Sequence, residues 1–184
     1  MILPAGISFY TFKALSYVID VGRGRIAAER NPVLVGAYIT FFPQILAGPI
    51  ERAAPLLAQL RGGYRFDLGR AAGGFRLLLW GLFKKIVVAD RMAQYVNIVF
   101  ETPADYAGLG LVIGLIFYSF QIYCDFSGYS DMAVGLGRML GFETMENFRF
   151  PYFSRSIAEF WSRWHISLSS WLRDYLFLPI SYAL

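Results

Sequence analysis

The sequence predicts an all-α fold, a polytopic integral membrane bundle with interfacial and re-entrant helices, and three observations carry that reading. Only 16% of the 184 residues are charged while 57% are hydrophobic, and the mean hydropathy is +0.47. A soluble domain carries about 25% charged residues, so this chain is poor in the groups that water requires. Two stretches, 31–50 and 106–124, run 20 and 19 residues without a charge, and about 20 residues of helix cross a hydrocarbon core. Nowhere is there sustained period-two alternation of the kind that marks a half-buried strand.

Taken in order, the first element covers 2–21, long enough to span but interrupted by charge. The second, 31–50, contains Pro43 and Pro49, each of which removes a backbone donor, so a broken or re-entrant helix is expected. The third, 75–100 ("FRLLLWGLFKKIVVADRMAQYVNIVF"), holds Lys84, Lys85, Asp90 and Arg91. The fourth, 106–124, is an uninterrupted transmembrane candidate. Loops are expected at 21–25, 61–70, 101–108 and 141–156, where Gly, Pro and charge cluster between apolar runs. No internal repeat is visible.

The start, "MILPAGISFY", lacks the basic region and small-residue cleavage site of a signal peptide. The final stretch "LFLPISYAL" carries no charge after Asp174 and so has no interfacial anchor; a truncated reading frame, or else a short tail packed on the bundle, is expected. A single cysteine, Cys124, excludes an internal disulfide and is expected to pack. The net charge of +4 does not indicate nucleic acid, because the basic residues form no binding stripe. Eight of the 17 lie between Arg52 and Arg91, and 92–137 contains none. That asymmetry follows the positive-inside rule and places 51–70 and 141–155 in the cytoplasm and 101–105 outside.

Three groups of polar residues are candidates for chemistry. Lys84 and Lys85 lie in a stretch where an ionisable group costs at least ~2.5–3.5 kcal/mol. They snorkel to the interface, or they line a polar cavity for an anionic donor. In 121–140 ("QIYCDFSGYSDMAVGLGRML"), at about 100° per residue, Ser127, Asp131 and Arg138 share one face and Asp125 lies well round from them. An Asp131–Arg138 link through an intermediary is expected there, with direct catalysis as the alternative. Gly128, Gly135 and Gly137 would admit another helix backbone closely.

The third group is "EFWSRWHISLSSWLRDYLF", 159–177, with the only histidine of the chain. Drawn as one helix, it places Trp161, Trp164, His165, Leu168, Trp171, Leu172 and Tyr175 within a stripe of ~120°, with Arg163, Ser167, Ser170, Arg173 and Asp174 opposite. His165 is then a core group or a reaction-site group; the tryptophans and arginines also suit an interfacial helix.

"DFSGYSDMAVGLGRMLGF" (125–142) followed by "ENFRFPYFSRSIAEFWSRWHISLSSWLRDYLF" (146–177) resembles the signature of the membrane-bound O-acyltransferase family, and within it the bacterial alginate O-acetyltransferase branch. "LPAGISFYTFKALSYVIDVGRG" (3–24), "FFPQILAGPIER" (41–52) and "GLFKKIVVAD" (81–90) agree with it in order and spacing. The resemblance implies a multi-helix enzyme of the bacterial cytoplasmic (inner) membrane, built around a tunnel. It would pass an acetyl group from a cytoplasmic donor, acetyl-CoA, to an exported polysaccharide such as alginate. Periplasmic acetyl-transfer proteins would assist, with no tightly bound cofactor and no metal.

It implies that His165 lies in the reaction chamber. A histidine near pKa 6.5 suits proton transfer near neutral pH, and a second polar group must orient the donor or hold the oxyanion. Lys84, Lys85, Asp125, Asp131, Trp161, Arg163, Trp164 and Ser167 are the candidate donor- or substrate-binding residues. The family carries a second histidine in a Leu-Trp-His-Gly context and further upstream helices; this sequence has neither, so residues 1–184 are expected to be the central part of one membrane domain. His165 is accordingly expected to orient or relay a proton instead of serving as sole base. Related branches act on peptidoglycan or teichoic acid. Two other readings remain: a transporter or flippase with Asp125, Asp131 and the lysine pair along its path, and an inactive remnant.

Overall fold

A computed structural model describes residues 6–63 and 66–183, and among these there is helix, turn and coil but no strand. The sequence readings for 1–5, and for 64 and 65 within the expected 61–70 loop, lie outside the described residues. Helix α1 (Ile7–Gly22) starts after Gly6, whose φ of 74° is left-handed. A side chain at Gly6 would strike the Ile45 carbonyl. Helix α2 (Pro32–Ile39) begins where the Asn31 side chain accepts from the Val33 amide at 2.9 Å and Pro32 occupies the first turn, a favoured start on both counts. It ends at Thr40 and is followed only by the tight turn Phe42–Gln44. The charge-free stretch 31–50 is therefore a broken helix, as its prolines predict.

After α3 (Ala53–Arg61), Asp67 caps α4 (Leu68–Leu82) by accepting from the Arg70 amide at 2.5 Å. Helix α4 runs without a break through wider, π-helical turns (Phe83–Ala89) into α5 (Asp90–Glu101). Helix α6 (Leu109–Met139) is, among the described residues, the one helix long and apolar enough to cross a membrane. Its 31 residues rise about 46 Å, more than the ~30 Å of a hydrocarbon core.

The α4–α5 rod folds back along α6, and glycines set the spacing. Gly74 and Gly81 face Gly135 and Gly128; a Cβ on Gly81 would lie 2.5 Å from the Gly128 carbonyl oxygen, and one on Gly135 would lie 2.5 Å from that of Gly74. Two backbones this close admit no other residue. At the far end Val99 of α5 packs on Gly114. The turn 102–108 thus sits at one end of the pair, with Asp67 and 140–156 at the other.

Helices α1, α2 and α3 share a small core of Tyr38, Phe41, Ala53, Leu56 and Leu57. The last part of the described chain comprises α7 (Ile157–Arg163), α8 (Ile166–Leu172), π-helical turns (Arg173–Phe177) and α9 (Leu178–Ala183). Trp171 and Tyr175 pack from it onto Ile50, Phe9, Phe12 and Ile19.

Here one sequence expectation is corrected: 159–177 is not a single helix. Trp164 is extended (φ −104°, ψ 129°) and His165 is left-handed (φ 41°, ψ 54°), so α7 stops and α8 restarts. The cause is a competing acceptor. The Ile166 and Ser167 amides bond to Asn147 and not to the preceding turn. The helical wheel fails across the break. Ser167, drawn on the polar side, is fully buried, whereas Leu172 and Trp161, drawn on the apolar stripe, are exposed.

Candidate active site at the His165 junction

The site is built on the connection 140–156, which is long, irregular and pinned at successive points. Gln59 of α3 donates to the Glu143 carbonyl at 2.9 Å and accepts from its amide at 2.7 Å. Glu51 Oε1 accepts from the Met145 amide at 3.0 Å; burial pushes this carboxyl above its ordinary range. Asn147, almost fully buried, accepts from Ile166 and Ser167 and donates to Ser130 of α6. The Arg149 amide then donates to the Arg163 carbonyl at 2.9 Å. A segment with little regular structure is thereby fixed against α3, α6 and α8.

This arrangement presents His165 to an aromatic wall. Its ring meets Phe126 edge-on at 4.6 Å between centroids and lies parallel to Phe148 at 6.5 Å. Trp164 packs on Phe148 at 5.0 Å, Phe160 at 5.5 Å and Tyr123 at 6.2 Å. Burial beside these rings pushes the imidazole down from 6.5 to about 4, because an apolar surround disfavours its charged form. His165 is thus neutral at physiological pH. Its Nε2 is enclosed and has no protein partner, as is true of the Ser167 hydroxyl.

The lysines occupy a second, neighbouring location. Lys84 Nζ lies 2.6 Å from Asp131 Oδ2 and donates to Ser127 Oγ at 3.0 Å. Lys85 bridges Asp125 at 2.5 Å and Asp90 at 2.8 Å. Asp131 therefore pairs with Lys84, not with Arg138 as its helix face led us to expect; Arg138 turns to Glu143 at 3.4 Å. The sequence reading considered α6 alone, and the partner comes from the neighbouring rod through the glycine seam.

Lys84, Asp131, Arg138, Glu146 and Arg149 line a cavity of about 250 Å³ together with Tyr123, Ser130, Asn147 and Phe148. Asn147, Ser130 and Phe148 are common to this cavity and to the surroundings of His165. Among the described residues no hydrogen bond or ion pair joins His165 to Lys84, Lys85, Asp125 or Asp131.

The predicted site residues thus fall into three places. His165, Trp164 and Ser167 meet at the junction, Lys84 and Asp131 at the cavity, and Lys85 with Asp125 on the more exposed flank of the same helix pair. Trp161 and Arg163 stand apart: Trp161 is exposed, and Arg163 bonds Glu159 on its own helix at 2.5 Å. Among the described residues no three His, Cys, Asp or Glu side chains gather as metal ligands.

Sequence reasoning missed Asn147 and Ser130. It also missed a buried polar tie between α1 and the rest: Lys13 donates to Gln44 at 3.3 Å, and Tyr175 donates to Asp20 at 2.6 Å. Arg52 reaches Asp174 at 3.2 Å and stacks over the Tyr175 ring at 4.6 Å. The available signal was a polar residue inside an apolar run, but periodicity does not say which partner it meets.

Comparison with known proteins bears on this site. The model of the membrane-bound O-acyltransferase family matches residues 31–183. The probable alginate O-acetylase AlgI of Azotobacter vinelandii is 46% identical over 180 residues, covering 98% of this chain and 36% of its own length. The protein of the same name from Pseudomonas putida is 45% identical, covering 98% and 37%. A peptidoglycan O-acetyltransferase of Helicobacter pylori is 32% identical over 207 residues, covering 98% and 39%. The chain spans about a third of the length of the curated relatives it matches.

Proposed function

We infer the function of this chain from one premise: it belongs to the membrane-bound O-acyltransferase family. We read it as the His165-bearing part of a multi-pass O-acetyltransferase of the bacterial inner membrane. Acetyl passes from a cytoplasmic donor, acetyl-CoA, to a hydroxyl of an exported polysaccharide of the alginate kind, with periplasmic acetyl-transfer proteins completing delivery. The names of the relatives support the acetyl group and the saccharide acceptor.

The observation that carries this reading is the state of His165: neutral, desolvated, with an enclosed Nε2 that no protein group engages. Attack by a hydroxyl on an acyl carbonyl requires removal of the hydroxyl proton as the bond forms. A neutral imidazole accepts that hydrogen bond and aligns the oxygen once the enclosing side chains part to admit the hydroxyl, because Nε2 is shut off from solvent. Because its charged form is disfavoured, it does not retain the proton. As the carbon–sulfur bond of the acetyl thioester breaks, the proton ends on the departing thiolate, which leaves as the thiol, and this fits an orienting and relaying part. Tryptophan and phenylalanine rings around it exclude water that would hydrolyse the acyl donor. The neighbouring cavity carries Lys84, Arg138 and Arg149, each paired with a carboxylate, Asp131, Glu143 and Glu146 respectively, so an anionic donor would bind there by exchanging its phosphates for those partners.

The experiment is O-acetyl transfer by His165→Asn and His165→Ala in native membranes at matched protein levels. Both variants should lose acetylation; wild-type activity in either removes His165 from the mechanism. A second reading, a translocation path for acylated material, draws on the ion pairs Lys84–Asp131 and Lys85–Asp125 between the helices. Uptake of unmodified polymer by vesicles without acyl transfer would favour it.

A further inference from the structure

We propose that Asn147 is the positioning residue for His165: it caps helix α8 from a distant segment and thereby leaves the imidazole free. This inference rests on the reading that His165 serves acyl transfer. His165 occupies the residue just before α8, where a side chain ordinarily turns back to accept from the first free amides of the helix. It makes no such bond. Asn147 does so instead. Its backbone carbonyl accepts from the Ile166 amide at 2.9 Å, and its Oδ1 accepts from the Ser167 amide at 3.2 Å.

The amide's other end is also committed, since Nδ2 donates to Ser130 Oγ at 2.9 Å on α6. An asparagine is suited to this post because one side chain both donates and accepts. Two residues further on, the Arg149 amide grips the Arg163 carbonyl at 2.9 Å, so 147–149 holds both flanks of the junction. Between those points Phe148 lies parallel to the imidazole. The left-handed backbone at His165 (φ 41°) is sparsely populated by residues with a side chain and persists where the surroundings over-determine it. Here the bonds from Asn147 and Arg149 do so. Asn147 also lines the Lys84–Asp131 cavity, so one buried residue ties the histidine's orientation to the wall of the proposed donor cavity.

The test uses the fact that the chain has a single histidine, so histidine labelled with 15N yields one imidazole signature from the 184-residue chain in detergent micelles. In wild type the imidazole should remain neutral down to about pH 4. In Asn147→Leu, which keeps the volume and loses the side-chain bonds, the titration midpoint should rise by at least one pH unit, a tenfold gain in proton affinity, with far-UV circular dichroism unchanged. Asn147→Gln, which keeps an amide donor and acceptor without adding a charge, should return the midpoint towards wild type. Should Asn147→Leu fail to fold, Ser130→Ala asks the same question by cutting the anchor, with a smaller rise expected.

A wild-type titration in a folded Asn147→Leu, or in Ser130→Ala when the leucine variant does not fold, overturns the proposal. Acetylation assays separate this from the parent reading. Full transfer by His165→Asn removes the reaction role and leaves the capping result standing, whereas an unmoved titration together with an inactive His165→Asn removes Asn147 alone.

Discussion

The seam between the α4–α5 rod and α6, and the junction at His165, solve the same problem by opposite means. Both hold polar or charged groups inside an apolar protein. The seam does it by periodicity: glycines seven residues apart on each helix bring the backbones together, and Lys84 and Lys85 then fall against Asp131 and Asp125. The junction does it by individual bonds between segments far apart in sequence, Asn147 to Ser130, Ile166 and Ser167. A periodic contact spreads its cost over many residues. A pinned junction concentrates it in a few, which suits a site that must hold one side chain in one orientation.

The comparison breaks first at the seam. Gly81→Leu or Gly128→Leu forces side-chain atoms against backbone, since even a Cβ would come within 2.8 Å of the opposite carbonyl. The expected loss is about 3 kcal/mol or more, read as loss of the folded species in detergent denaturation. Lys84→Met should follow at about 2–3 kcal/mol, because it strands Asp131, whose side chain is only 25% exposed, without a partner. Lys84→Met combined with Asp131→Leu should recover most of that loss. Lys85→Met should cost under about 1 kcal/mol, as Asp125 is 44% exposed and screened by solvent.

At the junction, substitutions of His165 should rank by backbone conformation. Alanine in the left-handed region costs roughly 1–2 kcal/mol, and asparagine tolerates it better, so His165→Asn should denature later than His165→Ala. A separate signature is the pH dependence. The folded imidazole titrates at about 4, below its unfolded value near 6.5, so the unfolded chain binds more protons between these values. The contribution of His165 is complete above pH 6.5 and falls as the pH drops towards 4. That slope should disappear in His165→Asn, which urea denaturation across pH 4–7.5 would show. In the opposite direction, Gly73→Ala, which meets nothing within 4 Å, should gain about 0.5–1 kcal/mol by helix propensity alone.

Which parts were legible in the sequence follows from this contrast. The helical class, the span within α6, the proline-broken stretch 31–50 and the loops expected at 101–108 and 141–156, which the structure places at 102–108 and 140–156, are local or periodic features that the structure bears out. Of Gly128, Gly135 and Gly137, which announced a close helix contact, the first two make it, whereas Gly137 faces Phe142 and Thr144 of the following connection and not the neighbouring helix. The partner of Asp131 was missed because helical periodicity names the face and not the neighbour. The break at Trp164–His165 was missed because nothing in "RWHIS" is a helix breaker. It is made by Asn147, eighteen residues before the histidine, and a single polar residue in a loop gives no periodic signal. The burial of Ser167 and the exposure of Leu172 follow from that same break.

The central claim is that the neutral imidazole of His165 takes part in acyl transfer and is not merely a packed aromatic. The most direct measurement is the acetyl content of the polysaccharide made when His165→Asn is placed at the native locus, since this variant keeps the left-handed backbone while removing the imidazole. The account predicts a fall of about 100-fold or more with membrane protein levels unchanged; acetylation at the wild-type level would contradict it.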